Sequence, residues 1–259
     1  MSEESSGWEK LIDGVVDVVT KYKLIERLVQ RLTNEKVVIL LCGSSGVGKS
    51  QFIESLQMPV AKPIDRETRT RTWRRAKITH QRKSLELLDT PGQAGDSRLR
   101  AQARIEALKA GRFGIINVVA YGYHEGVAAQ DDAIERTKTG YRAKPSFLNR
   151  ARELELASLD EWRTELSDAQ WLITLVNKAD LWWHPDSYDR VLQEYASTGP
   201  YAHKLENWQN KHVVLPYAAT TKPFFGHVPM SGLLGDDRRL MAQASALNEL
   251  NTLIGRMKK

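Results

Sequence analysis

An eight-residue loop between an apolar run and a helical stretch restricts this chain to a small set of folds. The loop reads Gly43-Ser44-Ser45-Gly46-Val47-Gly48-Lys49-Ser50 and directly follows the apolar run Val37–Cys42. It fits the pattern G-x-x-x-x-G-K-[ST], whose glycines let backbone N–H groups converge on phosphates at the start of a helix. Lys49 is expected to reach the β- and γ-phosphates, and the Ser50 hydroxyl to hold Mg²⁺. We therefore predict a phosphate-binding loop that continues to Gln51 in the helix.

The rest of the chain alternates apolar runs of strand length with helical stretches. The runs are Val37–Cys42, Phe113–Tyr121, Trp171–Val176 and Val213–Ala219, and the helical stretches are Ser50–Gln57, Ser97–Gly111, Leu156–Leu166, Tyr188–Ala196 and Asp237–Met257. Continuous apolar runs suit parallel strands that are covered on both faces. Thr70–Thr79 and Ser84–Asp89 are too close together for a crossover helix, so they predict an antiparallel hairpin at the sheet edge. The expected fold class is α/β: a mostly parallel six-stranded sheet with one antiparallel edge strand and helices on both faces.

A second motif, Asn177-Lys178-Ala179-Asp180, follows the third apolar run. A carboxylate at Asp180 can accept both the N1–H and the 2-amino group of guanine, whereas adenine presents an acceptor there and leaves the carboxylate without partners. The stem of Lys178 can lie over the base, and Asn177 can connect this loop to the phosphate loop. The motif therefore predicts selection of guanine.

The end of the predicted hairpin reads Asp89-Thr90-Pro91-Gly92-Gln93. Asp89 is expected to hold Mg²⁺ through a water molecule, and the backbone of Gly92 can approach the γ-phosphate. Gln93 could orient the attacking water, or it could be an exposed loop residue without a catalytic role.

The phosphate loop, D-x-x-G and N-K-x-D, in this order, resemble the motifs of the Ras-like small GTPase superfamily, within the translation-factor-related class of P-loop GTPases. The loop G-S-S-G-V-G-K-S is most similar to the Rab sequence G-D-S-G-V-G-K-S. The run D-T-P-G-Q lies between the Rab-like D-T-A-G-Q and the Era-like D-T-P-G-R. The resemblance extends from about Val37 to the carboxy-terminal helix and implies a P-loop NTPase G domain.

The same resemblance implies further site residues. A switch threonine that holds Mg²⁺ in the GTP state should precede the hairpin, and we place it at Thr70, with Thr68 as the alternative. Ala218 and Ala219 occupy the position of the guanine-contacting S-A-K element, so the Ala219 N–H could contact guanine O6. Ser45 stands where Ras has glycine and crowds the γ-phosphate side, which implies slow hydrolysis without an activating partner. Lys49, Thr70 and Gln93 are the predicted catalytic residues.

The basic residues of the chain are concentrated in one segment. Residues 62–83 hold nine basic and two acidic residues, a net charge of +7, although the whole chain has a net charge of +6. The segment covers the predicted switch threonine and hairpin, the surface that effectors contact in this superfamily. It predicts either an acidic partner, such as RNA or an acidic protein, or a solvated hairpin whose charges prevent edge-to-edge aggregation.

Two segments fall outside the basic G-domain pattern. Apolar residues recur every three or four positions from Trp8 to Leu32, which predicts an amphipathic helical extension over residues 1–35 that docks on the G domain or mediates oligomerisation. Residues 36–259 would form the G domain, with an insertion at about 122–155. No apolar run reaches the roughly 18 residues of a membrane-spanning helix. The single Cys42 and the acidic start without an apolar core make the cytoplasm the expected compartment.

The sequence thus predicts a GTP-binding switch that hydrolyses GTP to GDP with Mg²⁺ and signals to a protein effector or activator through its switch segments. Two alternatives remain open. One is an RNA- or ribosome-associated GTPase like Era that uses the basic hairpin within residues 62–83. The other is a GTP-stabilised scaffold with negligible turnover.

Overall fold

The structure is a computed structural model. It describes residues 23, 25, 26, 36–57, 74–80, 83–90, 97–125, 130–162, 167–231 and 236–256. In these residues, no helix is both long enough and apolar enough to cross a membrane.

Among the described residues, six strands form a central sheet and two short strands form a separate hairpin. In chain order the strands are β1 (Lys36–Cys42), β2 (Arg74–His80), β3 (Lys83–Asp89), β4 (Phe113–Val119), β5 (Ile134–Thr137), β6 (Gly140–Ala143), β7 (Trp171–Val176) and β8 (Lys211–Pro216). The order across the central sheet is β2-β3-β1-β4-β7-β8. Strands β3, β1, β4, β7 and β8 run parallel, and β2 pairs antiparallel with β3 at the edge. The predicted fold class, with its antiparallel edge hairpin, is confirmed.

The helices described are α1 (Lys49–Gln57), α2 (Ser97–Lys109), α3 (Gln130–Ala133), α4 (Pro145–Glu161), α5 (Ala179–Trp182), α6 (Pro185–Gln193), α7 (Pro200–Lys204) and α8 (Asp236–Arg256). A π-helical turn, Glu194–Thr198, continues α6. The bounds of α1, α2, α6 and α8 lie within a few residues of the predicted ones, whereas α5 and α7 were not predicted. Helix α4 is different, because it begins at Pro145 and not at the predicted Leu156.

Helices cover both faces of the central sheet, and alternate residues of β1 show why. Val37, Ile39 and Leu41 belong to a core cluster that includes residues of α1 and α8. Val38 and Leu40 belong to a second cluster, which includes residues of α2 and the end of α4. Because successive side chains of a strand point to opposite faces, a strand buried on both faces is apolar throughout. The continuous apolar runs of the sequence reflect this burial.

The hairpin β5–β6 lies in the segment between β4 and α4, where the sequence predicted an insertion containing some helix. A third core cluster joins this hairpin to α4 and to the loop after β8 through Ile134, Phe147, Phe224 and Phe225. The loop after β8 is therefore anchored by apolar contacts to the segment that follows β4. Whether residues 122–155 are an insertion stays a prediction.

The amino-terminal extension lies almost wholly outside the described residues. Of it, Ile25 is 7% exposed and belongs to the core cluster that includes residues of α1 and α8. Docking of the predicted extension on the G domain, or oligomerisation through it, stays a prediction. The division of the chain at residues 35 and 36 stays a prediction.

Candidate functional site

Five polar segments meet at one edge of the central sheet. The parallel strands β1, β3, β4, β7 and β8 all end there. The loop Gly43–Ser50 follows β1, Asp89 ends β3, the turn Ala120–Glu125 follows β4, Asn177 follows β7, and Ala218 lies just after β8. Crevices outside the carboxyl ends of parallel strands are the usual ligand sites of open α/β sheets.

The loop from Gly43 to Ser50 has a backbone that requires glycine at three positions. Gly43, Gly46 and Gly48 have φ values of 128°, 79° and 94°. A Cβ atom at Gly46 would clash with the carbonyl oxygen of Glu125, and one at Gly48 would clash with the Asn177 side chain. The loop is thus tightly packed against Glu125 and Asn177, while Ser45 is only half-buried.

Lys49 begins helix α1 and bends back over the loop. Its Nζ donates hydrogen bonds to the carbonyl oxygens of Gly43 (2.7 Å) and Ser44 (2.9 Å). Burial lowers the pKa of the Lys49 ammonium, and the carboxylate of Asp89 opposes this effect. A buried ammonium group at the start of a helix favours an anion such as a phosphate.

Ser50 and Asp89 bring two oxygen ligands together next to Lys49. The Ser50 hydroxyl donates to Asp89 Oδ2 at 3.1 Å, and the Asp89 side chain is buried. A hydroxyl and a carboxylate are the oxygen donors that Mg²⁺ prefers, so the two residues fit the metal site predicted from the sequence. The neighbouring Gln51 places its side-chain nitrogen 3.4 Å from Glu54 Oε2 on the same helix.

Asn177 connects the loop after β7 to the segments after β1 and β8. Its Nδ2 donates to Val47 O at 2.9 Å, and its Oδ1 accepts from the Ala219 N–H at 3.3 Å. The connection between Asn177 and the phosphate loop is as the sequence predicted. The Ala219 N–H already has an acceptor, so a contact with a base would share or replace this long hydrogen bond. The neighbouring Ala218 carbonyl accepts from Gln243 at 2.7 Å.

The carboxylate of Asp180 is 2% exposed and only partly satisfied. Its Oδ2 accepts from the Lys222 N–H at 3.1 Å, whereas its Oδ1 has no hydrogen-bond partner among the residues that the structure describes. Burial raises the pKa of Asp180 to about 6, against the Lys222 hydrogen bond and the charge of Lys178. A buried acceptor without a partner is costly, which indicates that a ligand donates to it.

Lys178 lies beside Asp180 in the left-handed region, with φ of 57°. Its Nζ donates to Tyr123 O at 2.6 Å and lies 3.4 Å from Glu125 Oε2. Glu125 also contacts Lys222 Nζ at 2.8 Å and accepts from the Phe225 N–H at 3.1 Å. Burial alone would raise the pKa of Glu125, but the two lysine charges and these hydrogen bonds lower it to about 2.

Sequence reasoning missed Glu125 and Lys222. Both lie in irregular segments more than 40 residues from the motif residues that they contact, so no local spacing relates them to Lys178 or Asp180. The closest signal was Glu125 among the five residues that follow the apolar run of β4. Other predicted site residues, namely Thr70, its alternative Thr68, Gly92 and Gln93, lie outside the described residues.

The comparisons with known proteins agree with this arrangement. Residues 38–150, less than half of the chain, match the sequence model of a family described as 50S ribosome-binding GTPase. This match includes the phosphate loop and Asp89, and the sheet order places both at one edge with the N-K-x-D loop.

Over residues 38–150 the chain is thus similar to a GTPase family.

Several solved structures resemble this chain at low sequence identity. One, of the chloroplast translocon components atToc33 and psToc159, has 14% sequence identity and a TM-score of 0.48, with 93% of this chain and 92% of that chain covered. Toc33 from Arabidopsis thaliana with Mg²⁺ and GMPPNP has 11% identity and a TM-score of 0.46, with 94% and 95% covered. The mammalian SRP receptor has 16% identity and a TM-score of 0.45, with 80% and 99% covered. No curated protein sequence matches this chain.

Proposed function

We propose that this GTPase binds GTP and GDP with Mg²⁺ and hydrolyses GTP slowly, as a molecular switch. The observation that carries the proposal is the buried carboxylate of Asp180, which lies at the same edge as Lys49 and the phosphate loop and whose Oδ1 has no partner within the described part of the chain. A base that donates two hydrogen bonds would satisfy that carboxylate.

The phosphate end of the proposed site is the loop Gly43–Ser50. Its backbone amides and the start of α1 favour negative charge, and Lys49 adds a full positive charge. Binding a triphosphate would let Lys49 exchange its carbonyl partners, Gly43 O and Ser44 O, for phosphate oxygens. The exchange would satisfy a buried ammonium better, because a charged acceptor forms the stronger hydrogen bond.

The base end of the proposed site consists of Asn177, Lys178, Asp180 and Ala219. Guanine can donate from its N1–H and its 2-amino group to Asp180. Adenine has an acceptor at N1 and no 2-amino group, so it can donate neither hydrogen bond. Glu125 and Lys222 hold Lys178 and Asp180 in place through the contacts described above. Discrimination by roughly 10⁴-fold is typical of a site that pairs a buried polar group with a specific donor.

Ser50, Asp89 and Thr70 are the residues that would hold Mg²⁺. When bound, the ion would neutralise charge that develops on the phosphate oxygens during hydrolysis. Asp89 is already placed to accept from Ser50, so the pair needs only a small rearrangement to take part. Gln93 would orient the attacking water, and Ser45 would crowd the γ-phosphate, which favours slow hydrolysis.

The switch proposal follows from the position of Thr70 and Gly92 on either side of the hairpin β2–β3. Contacts with the γ-phosphate would hold these segments, and loss of that phosphate would release them to a protein effector or activator. The proposed compartment is the cytoplasm.

Phosphate release at saturating GTP and Mg²⁺ tests hydrolysis. Wild type should release phosphate slowly, and Gln93→Ala should lower the rate at least tenfold because the attacking water loses its orienting group. Gln102→Ala, an exposed glutamine on α2, is the matched control and should leave the rate unchanged. If wild type binds GTP but releases no phosphate above a buffer blank, the scaffold alternative replaces the enzyme.

A ribosome- or RNA-directed role is a second candidate. It is supported by the ribosome-binding description of the matching family and by the +7 charge of residues 62–83. Against it, the guanidinium group of Arg75 contacts Glu106 at 2.9 Å and Glu86 at 3.5 Å, which reduces its charge toward a partner. Neutralising Arg71, Arg74 and Arg75 should abolish salt-dependent RNA binding if this role is correct. Neutralising Arg136 and Lys138, on the other hairpin, is the matched control.

A further inference from the structure

A buried carboxylate contacts the turn Ala120–Glu125, which in turn contacts the phosphate loop. Glu155 of α4 is 2% exposed, and its Oε1 accepts from His124 Nε2 (2.8 Å), from the Ala120 N–H (2.8 Å) and from the Gly122 N–H (3.3 Å). Its Oε2 accepts from the Tyr195 hydroxyl at 2.6 Å. Burial alone would raise the pKa of Glu155, but the hydrogen bond and charge of His124, with the other donors, lower it. The group is therefore ionised, with its desolvation cost offset by four donors.

These donors fix the shape of the turn Ala120–Glu125, where the chain leaves β4. Two of them are backbone amides of the turn itself, and a third is the side chain of His124, which is fully buried. An ionised carboxylate is the strongest acceptor that a protein can offer to several converging N–H groups. Glu155 thus determines where the turn lies.

The same turn contacts both halves of the proposed nucleotide site. The Glu125 N–H donates to Gly46 O in the phosphate loop at 3.3 Å, and Tyr123 O accepts from Lys178 at 2.6 Å. His124 Nδ1 lies 3.5 Å from the hydroxyl oxygen of Ser44, also in the phosphate loop. Because a carboxylate only accepts, His124 Nε2 donates to Glu155, and the second ring nitrogen, Nδ1, faces the Ser44 hydroxyl.

We propose that Glu155 and His124 are positioning residues for nucleotide binding, acting through the turn Ala120–Glu125 on the phosphate loop. The inference rests on the proposed function of that loop. Nucleotide binding should draw the Ser44 hydroxyl onto His124.

The first experiment replaces Glu155 by its isostere. Glu155→Gln keeps the volume but removes the negative charge, so the turn amides and His124 lose a charged acceptor and retain only a neutral amide oxygen. We expect a folded variant whose affinity for Mg²⁺-GDP is about tenfold lower. Tyr201→Phe is the matched control, because it removes buried hydrogen bonds to Asn117 (2.7 Å) and Thr174 (2.9 Å) without contacting the turn. It should lower Tm but leave the affinity within twofold. Unchanged affinity in Glu155→Gln, or an equal loss in both variants, would overturn the proposal.

A second experiment separates positioning from general stability. His124→Gln can still donate to Glu155 but lacks the ring nitrogen that faces Ser44, and Ser44→Ala removes the opposite partner. Each variant should weaken GDP binding severalfold, and the double variant should bind no worse than His124→Gln alone, because both substitutions remove one contact. If the losses of GDP affinity in the two single variants multiplied in the double variant, the contact between Ser44 and His124 would have no role in positioning the phosphate loop.

Failure of the proposed function can be told apart from failure of this inference. If wild type binds no guanine nucleotide, the proposed function is wrong, and the positioning is then tested in the free protein. Amide hydrogen exchange of Gly43–Ser50 should be faster in Glu155→Gln than in wild type or Tyr201→Phe, without faster exchange in β7. Equal exchange of the loop in all three proteins would overturn the inference.

Discussion

The side-chain amide of Asn177 donates to the carbonyl oxygen of Val47 at 2.9 Å, although the two residues are 130 positions apart. Through its oxygen, the same amide accepts from the backbone of Ala219. Three separate segments, after β1, β7 and β8, are thus held together by one buried side chain. Nucleotide affinity should therefore depend on Asn177 even if it never contacts the ligand.

Asn177→Ala should lower the free energy of unfolding by about 2 kcal/mol, because it leaves a buried carbonyl and a buried N–H without partners. We also expect at least tenfold weaker GDP binding by calorimetry. Asn210→Ala is the control, since Asn210 makes the same type of amide-to-carbonyl bond, to Ala169 at 2.8 Å, away from the site. Equal GDP affinity in Asn177→Ala and wild type would contradict the connecting role.

A substitution in the phosphate loop tests how closely it is packed. Gly46→Ala should abolish measurable GDP binding, because its Cβ would clash with the carbonyl oxygen of Glu125 and displace the loop. Gly226→Ala is matched to it in backbone strain, with φ of 76° against 79°, but its Cβ would meet nothing within 4 Å. We expect Gly226→Ala to lose about 1 kcal/mol of stability and to keep its GDP affinity. Both variants behaving alike in a binding assay would refute the packing argument.

The raised pKa of Asp180 makes both stability and binding depend on pH. The folded free protein keeps the Asp180 proton up to about pH 6, whereas an unfolded chain releases it near pH 3.8. The folded state therefore binds more protons between these values, and the contribution of Asp180 to stability falls by about 3 kcal/mol as pH rises through this window. The ionised form accepts from guanine, so GDP affinity should rise as pH increases from 5 to 7.

Urea unfolding and GDP titrations at several pH values measure these effects. Asp180→Asn is the control, because an amide does not titrate in this range. It should unfold with a weaker pH dependence and show no rise in GDP affinity between pH 5 and 7. A wild-type affinity that stays constant across that range would contradict the assignment of Asp180 as the acceptor.

The sheet and the two motif loops could be predicted from the sequence because their signals are local. Strands buried on both faces are apolar throughout, as in Trp171–Val176, and each nucleotide motif lies directly after such a strand. Trp182 and Trp183, just after the N-K-x-D motif, are both buried, and Trp182 Nε1 donates to Asn177 O at 2.8 Å.

Other features could not be predicted because they depend on contacts between distant segments. The early start of α4 was hidden since its buried positions include Glu155 and Ser158, which interrupt the apolar period. The hairpin β5–β6 has only four residues in each strand, with many polar side chains, so it carries no clear period-2 pattern. Glu125 acquires its role only when the fold places it next to Lys178 and Lys222.

Isothermal titration calorimetry of the magnesium-containing protein with GDP and with ADP tests the central assignment most directly. The arrangement of Asp180 beside the phosphate loop predicts tight GDP binding and ADP binding weaker by roughly 10⁴-fold or undetectable. In Asp180→Ala, GDP should bind as weakly as ADP. Similar affinities of the wild-type protein for the two nucleotides, or no heat with either, would contradict the assignment of this site to guanine nucleotides.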